Sequence, residues 1–298
     1  MSSLAILILT KNEEDNIVDV VKNAKKCTDD VIIIDSGSTD KTVTLAEGQG
    51  ATVCFRAWTD DFSAQRNFAL EQTTADWVLY LDADERLNDE LVDAVKDVLA
   101  NDPLTHQYTM ERKSVAFGTT FNHGVLKPDY VGRLFPRTTV TWVNKVHEHP
   151  ECDLPSQRLA GHLEHYTYKN WHHWEGKLCQ YTTIWAEDAY KRGKRISLSG
   201  IFFHSLGGFF KMFVSRAGFL DGWMGTYMCF NHFFYTMLKY LKLYELQRAE
   251  KKYAVAILET VKTQGGFEQE FDRLIIDELK KEGHEPVLYL AGKQQLAR

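Results

Sequence analysis

Six consecutive apolar residues, Leu4 to Leu9, are followed by apolar side chains at Ile17, Val20, Val21 and Ala24, and then by a second unbroken run from Val31 to Ile34. A short continuous run fits a strand buried on both faces, and a spacing of three and four residues fits one face of a helix. The pattern therefore predicts strand, helix, strand. Ser38 or Thr39 is placed to cap a helix to about Gln49, Ala51 to Phe55 reads as a third strand, and Ser63 is placed to cap a helix through Leu70. Trp77 to Leu81 makes a fourth strand, and Asn88 caps a helix whose apolar face is Leu91, Val95, Val98 and Leu99, ended by Asp102-Pro103. Strands alternating with helices predict βαβ units and a mainly parallel, Rossmann-like sheet.

The pattern then changes. From about Tyr108 to Tyr168 it is irregular, with β-rich stretches such as Thr138 to Val143 and many histidines and aromatics, a region suited to an acceptor site. From Trp171 onward helices dominate, and no proline interrupts the chain between Pro155 and Pro286. The expectation is an α/β domain over residues 1–168 and a helical C-terminal region over residues 169–298.

Composition adds exclusions. A hydrophobic content of 44% with 26% charged residues describes a folded chain, and its 298 residues suit one large domain plus an appendage. The net charge of -6 gives no general attraction to nucleic acid, so no nucleic-acid partner is expected. Met1-Ser2-Ser3-Leu4 carries no basic stretch and the apolar run after it is too short for a signal peptide, so a cytoplasmic location is expected. Cys27, Cys54, Cys152, Cys179 and Cys229 contain no C-x-x-C pair and read as reduced thiols.

Ligands of open α/β sheets sit beyond the carboxyl ends of the strands. Four polar segments stand there: Thr10-Lys11-Asn12-Glu13, Asp35-Ser36-Gly37-Ser38-Thr39-Asp40, Asp60-Asp61-Phe62-Ser63 and Asp82-Ala83-Asp84. Carboxylates at several strand ends suggest a hard divalent cation together with a polyhydroxy or phosphorylated ligand. Neither a G-x-x-x-x-G-K-[ST] nor a G-x-G-x-x-G loop is present, so a metal-bound diphosphate fits better than a glycine cradle.

Taken together, Leu-Thr-Lys-Asn-Glu-Glu from Leu9, Ile-Asp-Ser-Gly-Ser-Thr-Asp-Lys-Thr from Ile34, Ala-Gln-Arg-Asn-Phe-Ala-Leu from Ala64 and Leu-Asp-Ala-Asp-Glu from Leu81 closely resemble family 2 glycosyltransferases. The resemblance implies a GT-A fold, a UDP-sugar donor and a Mn2+ or Mg2+ cofactor. It implies that Thr10, Asn12, Glu13, Asp35 and Ser38 bind the nucleotide sugar, with Asp35 accepting from a uracil-like base. Arg66 then faces the base or diphosphate, Asp82 contacts the ribose and Asp84 holds the metal.

Inverting transfer needs a base to take the proton of the acceptor hydroxyl. Trp142-Val-Asn-Lys-Val-His-Glu-His resembles the tryptophan-to-His-Glu pattern of this family, preceded by an Arg-Leu-Phe that begins at Arg133. By that resemblance Glu148 is the catalytic base, His147 (or, second to it, His149) is a further metal ligand or positions Glu148, and Arg133 and Trp142 belong to the acceptor site. Relatives often carry a glycine between the tryptophan and the His-Glu pair, where this chain reads Val-Asn-Lys-Val.

Ile201 to Leu246 is rich in aromatics and interleaved with Lys211, Arg216, Lys239 and Lys242, and its longest uncharged run is short for a membrane span. An anionic membrane surface is the expected partner. Phe209-Phe-Lys, Ala217-Gly-Phe-Leu-Asp-Gly and Lys239-Tyr-Leu-Lys-Leu resemble the C-terminal part of bacterial lipopolysaccharide-core β-1,4-glucosyltransferases. That resemblance implies transfer of glucose from UDP-glucose onto an inner-core heptose of a glycolipid acceptor, by a peripheral protein on the inner face of the membrane. Two alternatives stand beside it: a noncatalytic nucleotide-sugar-binding scaffold of the same fold, and a zinc-dependent hydrolase built on the histidines at 147, 149, 162, 165, 172 and 173.

Overall fold

Strands β1 (Leu4–Thr10), β2 (Val31–Asp35), β3 (Thr52–Phe55) and β4 (Trp77–Asp82) alternate with helices α1 (Ile17–Ala24), α2 (Thr42–Gly48) and α3 (Phe62–Glu71). They form the parallel half of a sheet in the order β3-β2-β1-β4. The computed structural model describes residues 2–145, 148–168, 170–263, 287–290 and 293–296. The unbroken apolar runs have the cause that their pattern suggested, since alternate residues of one strand enter two cores. Leu4, Ile6 and Ile8 pack with α1 and with Leu91, Val95 and Leu99, whereas Ala5 and Leu7 pack with Ala69, Tyr80, Phe135 and Trp142.

After β4 come β5 (Glu85–Leu87), α4 (Asp89–Asn101), β6 (Gln107–Ala116), β7 (Thr119–Thr120), β8 (Asp129–Pro136), β9 (Thr141–Val143), β10 (His149–Glu151) and β11 (Ser156–Tyr168). Here the sheet becomes mixed. β8 runs antiparallel to β4 and β6, β11 lies parallel to β6, and β5 runs antiparallel to β11. The full path is β3-β2-β1-β4-β8-β6-β11-β5, with β7 on β6 and a separate β9–β10 ribbon. Because β5 follows β4 after only two residues yet ends the far side of this path, the sheet curls back on itself, and the turn Asp82-Ala83-Asp84 sits where it closes.

Local caps match the sequence in part. Asn88 Oδ1 accepts from Leu91 N at 3.0 Å, as expected of a helix cap. The cap of α3 is Asp61, accepting from Ala64 N at 2.9 Å, whereas Ser63 lies inside the helix and its hydroxyl donates to the Asn144 carbonyl. Ser38 and Thr39 do not cap α2; Asp40 accepts from Thr42 N at 3.0 Å instead.

The chain packs as two units, Met1–Gly176 with Phe209–Asn231, and Lys177–Gly208 with His232–Arg298. Helices α5 (Trp171–Lys191), α6 (Leu198–Phe210) and α7 (Gly222–Thr263) contribute to both. A short strand pair, β12 (Val287–Leu290) with β13 (Lys293–Leu296), lies in the second. The second unit is built on Ala186, Ala189, Ile201, Tyr240 and Leu243. Two lysines expected at a membrane surface are engaged inside it. Lys242 Nζ donates to the carbonyl of Cys179 at 2.9 Å and to the hydroxyls of Thr182 at 2.9 Å and Thr183 at 2.7 Å. Lys239 stands over the rings of Trp185 at 4.7 Å, Tyr235 at 5.3 Å and Tyr240 at 5.6 Å, and burial lowers its pKa.

Candidate active site

The strand ends β1, β2 and β4 converge on a cleft of 410 Å³ lined by Thr10, Glu13, Ser36, Arg66, Asp82 and Asp84, with Trp58 and Phe62 on one flank. A larger hollow of 570 Å³ between α1 and β5 gathers none of these strand-end residues and is not the site. Trp58 and Phe62 meet edge to face at 4.6 Å and give the polar cleft one apolar wall.

At the centre of the cleft wall, Arg66 Nη2 donates to Asp82 Oδ1 at 2.9 Å and Arg133 Nη2 donates to Asp82 Oδ2 at 2.6 Å. Burial works to raise the Asp82 pKa, but the two guanidiniums outweigh it and hold the carboxyl well below the usual carboxylate range. Burial likewise opposes the charge on Arg133, and Asp82 with Glu85 more than restores it, raising that pKa. Glu85 is fully buried, binds Arg133 at 2.7 Å and Arg112 at 3.3 Å, and accepts the Asp82 N–H at 3.1 Å. Arg112 is held in turn by both oxygens of Asp129, at 3.0 and 2.7 Å. On the other side, Glu148 Oε1 lies 3.8 Å from Arg66 Nη2. Charges thus alternate along Glu148, Arg66, Asp82, Arg133, Glu85, Arg112 and Asp129.

Asp84 stands apart from this network. Its Oδ2 is 3.2 Å from His165 Nε2, and its carbonyl accepts from Tyr166 N at 2.8 Å, so β11 fixes both its backbone and its side chain. His147 lies outside the described residues. Among the described residues no group of three or more His, Cys, Asp or Glu side chains is gathered to hold a metal ion.

The expected nucleotide residues fall into two sets. Thr10, Glu13, Arg66 and Asp82 line the cleft. Asp35 is 4% exposed and is taken up by its own loop, accepting from Gly37 N and Ser38 N at 2.9 Å, from Ser38 Oγ at 2.5 Å and from Thr10 Oγ1 at 3.4 Å. Asn12, in the left-handed region at φ 56°, ties the first two strand ends together by donating its N–H to Ser38 Oγ and accepting from Thr39 N, both at 2.8 Å. These three shape the cleft from behind. Arg133 and Trp142, expected at the acceptor, are 4% and 5% exposed and are not among the residues that line this cleft. Trp142 instead packs its ring 4.5 Å from the Arg66 guanidinium and 5.0 Å from the Tyr80 ring.

Residues 5–130 match the family model described as Glycosyl transferase family 2. Over those residues the chain is similar to family 2 glycosyltransferases. Over 266 residues it is 28% identical to an uncharacterised glycosyltransferase of Rickettsia typhi, covering 83% of this chain and 88% of that one. The lipopolysaccharide core biosynthesis glycosyltransferase LpsC of Rhizobium meliloti is 27% identical over 201 residues, 64% of this chain and 73% of that protein. Among solved structures, glucosyl-3-phosphoglycerate synthase from Mycobacterium tuberculosis in complex with Mn2+, UDP-glucose and phosphoglyceric acid aligns at 23% identity with a TM-score of 0.30, covering 39% of this chain. This chain covers 45% of that solved chain, less than half its length.

The α/β sheet followed by helices is the arrangement expected from the sequence. The site also uses residues to which the sequence assigned no part in this cleft: Glu85, Arg112, His165, Trp58 and Phe62. Glu85 and Phe62 stand in or directly after the strand-end segments and His165 in the run of histidines, whereas Arg112 and Trp58 carry no such signal.

Proposed function

We propose that the protein is an inverting glycosyltransferase that moves a hexose, glucose in our reading, from a UDP-sugar onto a lipid-linked saccharide such as a lipopolysaccharide inner-core heptose. The observation that carries this reading is the placement of Glu148 3.8 Å from Arg66, whose same nitrogen binds Asp82. Among the described residues the pair with Arg66 is the one ion pair of Glu148, and Arg66 itself lines the cleft. Such a carboxylate can take a proton from an acceptor hydroxyl, and Arg66 can face a diphosphate. Trp58 and Phe62 offer an apolar face to a nucleobase. LpsC, by its name a lipopolysaccharide core glycosyltransferase, supports the choice of acceptor class.

The residues present fit a divalent ion. Asp84 and His165 offer a carboxylate oxygen and an imidazole nitrogen that face each other at 3.2 Å. A hard ion held by one or two protein groups completes its shell from substrate phosphates and water, which suits a cluster of two donors. Bound there, Mn2+ or Mg2+ supplies Lewis-acid neutralisation of diphosphate charge. The protein's own part is to hold Asp82 ionised, to present Arg66 and to keep Glu148 within reach of the acceptor.

We place the protein at the cytoplasmic face of the membrane, with residues 1–168 as the donor-binding part. Among the described residues no helix is long and apolar enough to cross a membrane. Incubation with a panel of UDP- and GDP-sugars and Mn2+, scored for nucleotide release, tests the donor without knowledge of the acceptor. Release of UDP from UDP-glucose above the other donors is expected. Absence of release from every donor overturns the reading.

A further inference from the structure

The segment Phe209–Asn231 turns a corner between α6 and α7 through a π-helical turn, Lys211–Ser215, and a 3-10 turn, Gly218–Asp221. Met212, Met228 and Cys229 are buried, but a set of large apolar side chains faces outward. Trp223 is 78% exposed and Leu220 60%, with Phe210, Val214, Phe219 and Phe230 also largely exposed. Single exposed apolar residues are ordinary, but a contiguous set marks an interaction surface.

The charge of this face is one-sided. Asp221 is the only Asp or Glu between Ile196 and Leu238. Its carboxylate is turned inward, accepting from Asn122 N at 3.0 Å and His123 N at 2.7 Å and meeting His123 Nδ1 at 2.9 Å. What remains outward is cationic: Lys211 and Arg216. The corner is also preformed. Gly124 N donates to the Arg216 carbonyl at 2.9 Å, and the backbone approaches so closely that a Cβ at Gly124 would lie 2.9 Å from the Gly218 Cα.

We infer that the corner Phe209–Asn231 is the face by which the protein lies on an anionic lipid surface. The inference deepens the lipid-linked acceptor proposed above and rests on it. Aromatic side chains beside lysine and arginine, with no outward acid, complement an anionic headgroup layer, and the high exposure of Trp223 suits the boundary between headgroups and acyl chains. A protein partner of this chemistry would need an acidic apolar groove, and a second copy of the chain offers like charge to Lys211 and Arg216.

The test is flotation of the full chain with vesicles of phosphatidylglycerol and phosphatidylethanolamine and with vesicles of phosphatidylcholine. Binding to the anionic vesicles is expected, weakened but not abolished by salt. The double variant Trp223→Ser, Leu220→Ser should partition about 10-fold or more weaker, given the apolar area withdrawn from the bilayer. Its release of UDP from the donor in vesicle-free solution should equal that of the wild type. Brominated lipid should quench fluorescence in the wild type and do so measurably less in Trp223→Phe. An unbound wild type, or undiminished binding by the double variant, overturns the inference. So does a dimer in sedimentation that the double variant dissociates while vesicles leave both proteins unbound. Vesicle binding without turnover of any donor leaves the corner in place and removes the glycosyltransfer reading.

Discussion

Arg66 Nη2 stands between Glu148 and Asp82, 3.8 Å from the first and 2.9 Å from the second. One guanidinium therefore links the candidate base, on the loop after β9, to the aspartate that closes β4. Losing the position of either carboxylate disturbs the other.

Replacing the base should separate chemistry from binding. Glu148→Gln keeps the shape and should retain UDP affinity while turnover falls by about 10²- to 10⁴-fold, the range for loss of a general base. Calorimetry and steady-state rates measure the two quantities. Turnover close to wild type would move the role to another carboxylate.

Metal dependence should run through Asp84 and His165. Asp84→Ala is expected to lose the enhancement of UDP binding by Mn2+, and His165→Ala to weaken it by about 10-fold or more. Titration of UDP with and without Mn2+ checks both. An unchanged enhancement in Asp84→Ala would count decisively against this site.

The buried network should matter more to stability than surface pairs do. Arg133→Ala leaves Asp82 and Glu85 short of their shared cation and should cost about 3–5 kcal/mol in urea unfolding. Lys26→Ala, which removes the exposed pair with Asp89, should leave the midpoint unmoved. Equal effects of the two substitutions would show that the network adds nothing.

Acid should weaken the fold in a defined window. Burial alone would raise the Asp102 pKa, but donors from Thr105 N, Tyr108 and His106 lower it to about 2. The stability it contributes is complete above the ordinary aspartate value of about 3.9 and is lost as pH falls towards the folded value. Asp102→Asn should flatten the decline in melting temperature between about pH 4 and pH 2. A decline as steep as that of the wild type would assign it to other carboxylates.

Lys242 should behave as a structural residue. Placing a carboxylate against the Cys179 carbonyl and the two threonine hydroxyls, in Lys242→Glu, should destabilise by about 1–3 kcal/mol while anionic vesicles still bind the folded protein. Loss of vesicle binding at unchanged stability would return this lysine to the surface.

What the sequence made legible was local or carried by motifs. The cap at Asn88 depends on a residue three positions on, and the apolar runs of β1, β2 and β4 declare a sheet buried on both faces. The cap at Asp61 was missed because Ser63 is an equally good capping type two residues later, and only a long-range bond to Asn144 draws it elsewhere. The resemblance of Arg-Leu-Phe to a family motif places Arg133 at the acceptor, and no local pattern shows how deeply it is buried. Its burial follows from the antiparallel pairing of β8 with β4. His165 is visible as one of several clustered histidines, but its place beside Asp84 depends on how β11 pairs with β5.

That pairing also sets an order of events during synthesis. The four motifs are all contained in the first 85 residues. The turn that carries Asp82 and Asp84 is nevertheless held by a strand ending at Tyr168. A nascent chain that has just emitted its motifs has spelled out the donor site without being able to build it. Competence to bind a sugar nucleotide should arrive late and abruptly, when β11 slots between β6 and β5. A shortened gene product ending before residue 156 would keep every signature residue of the donor site and lack the strand that holds it together.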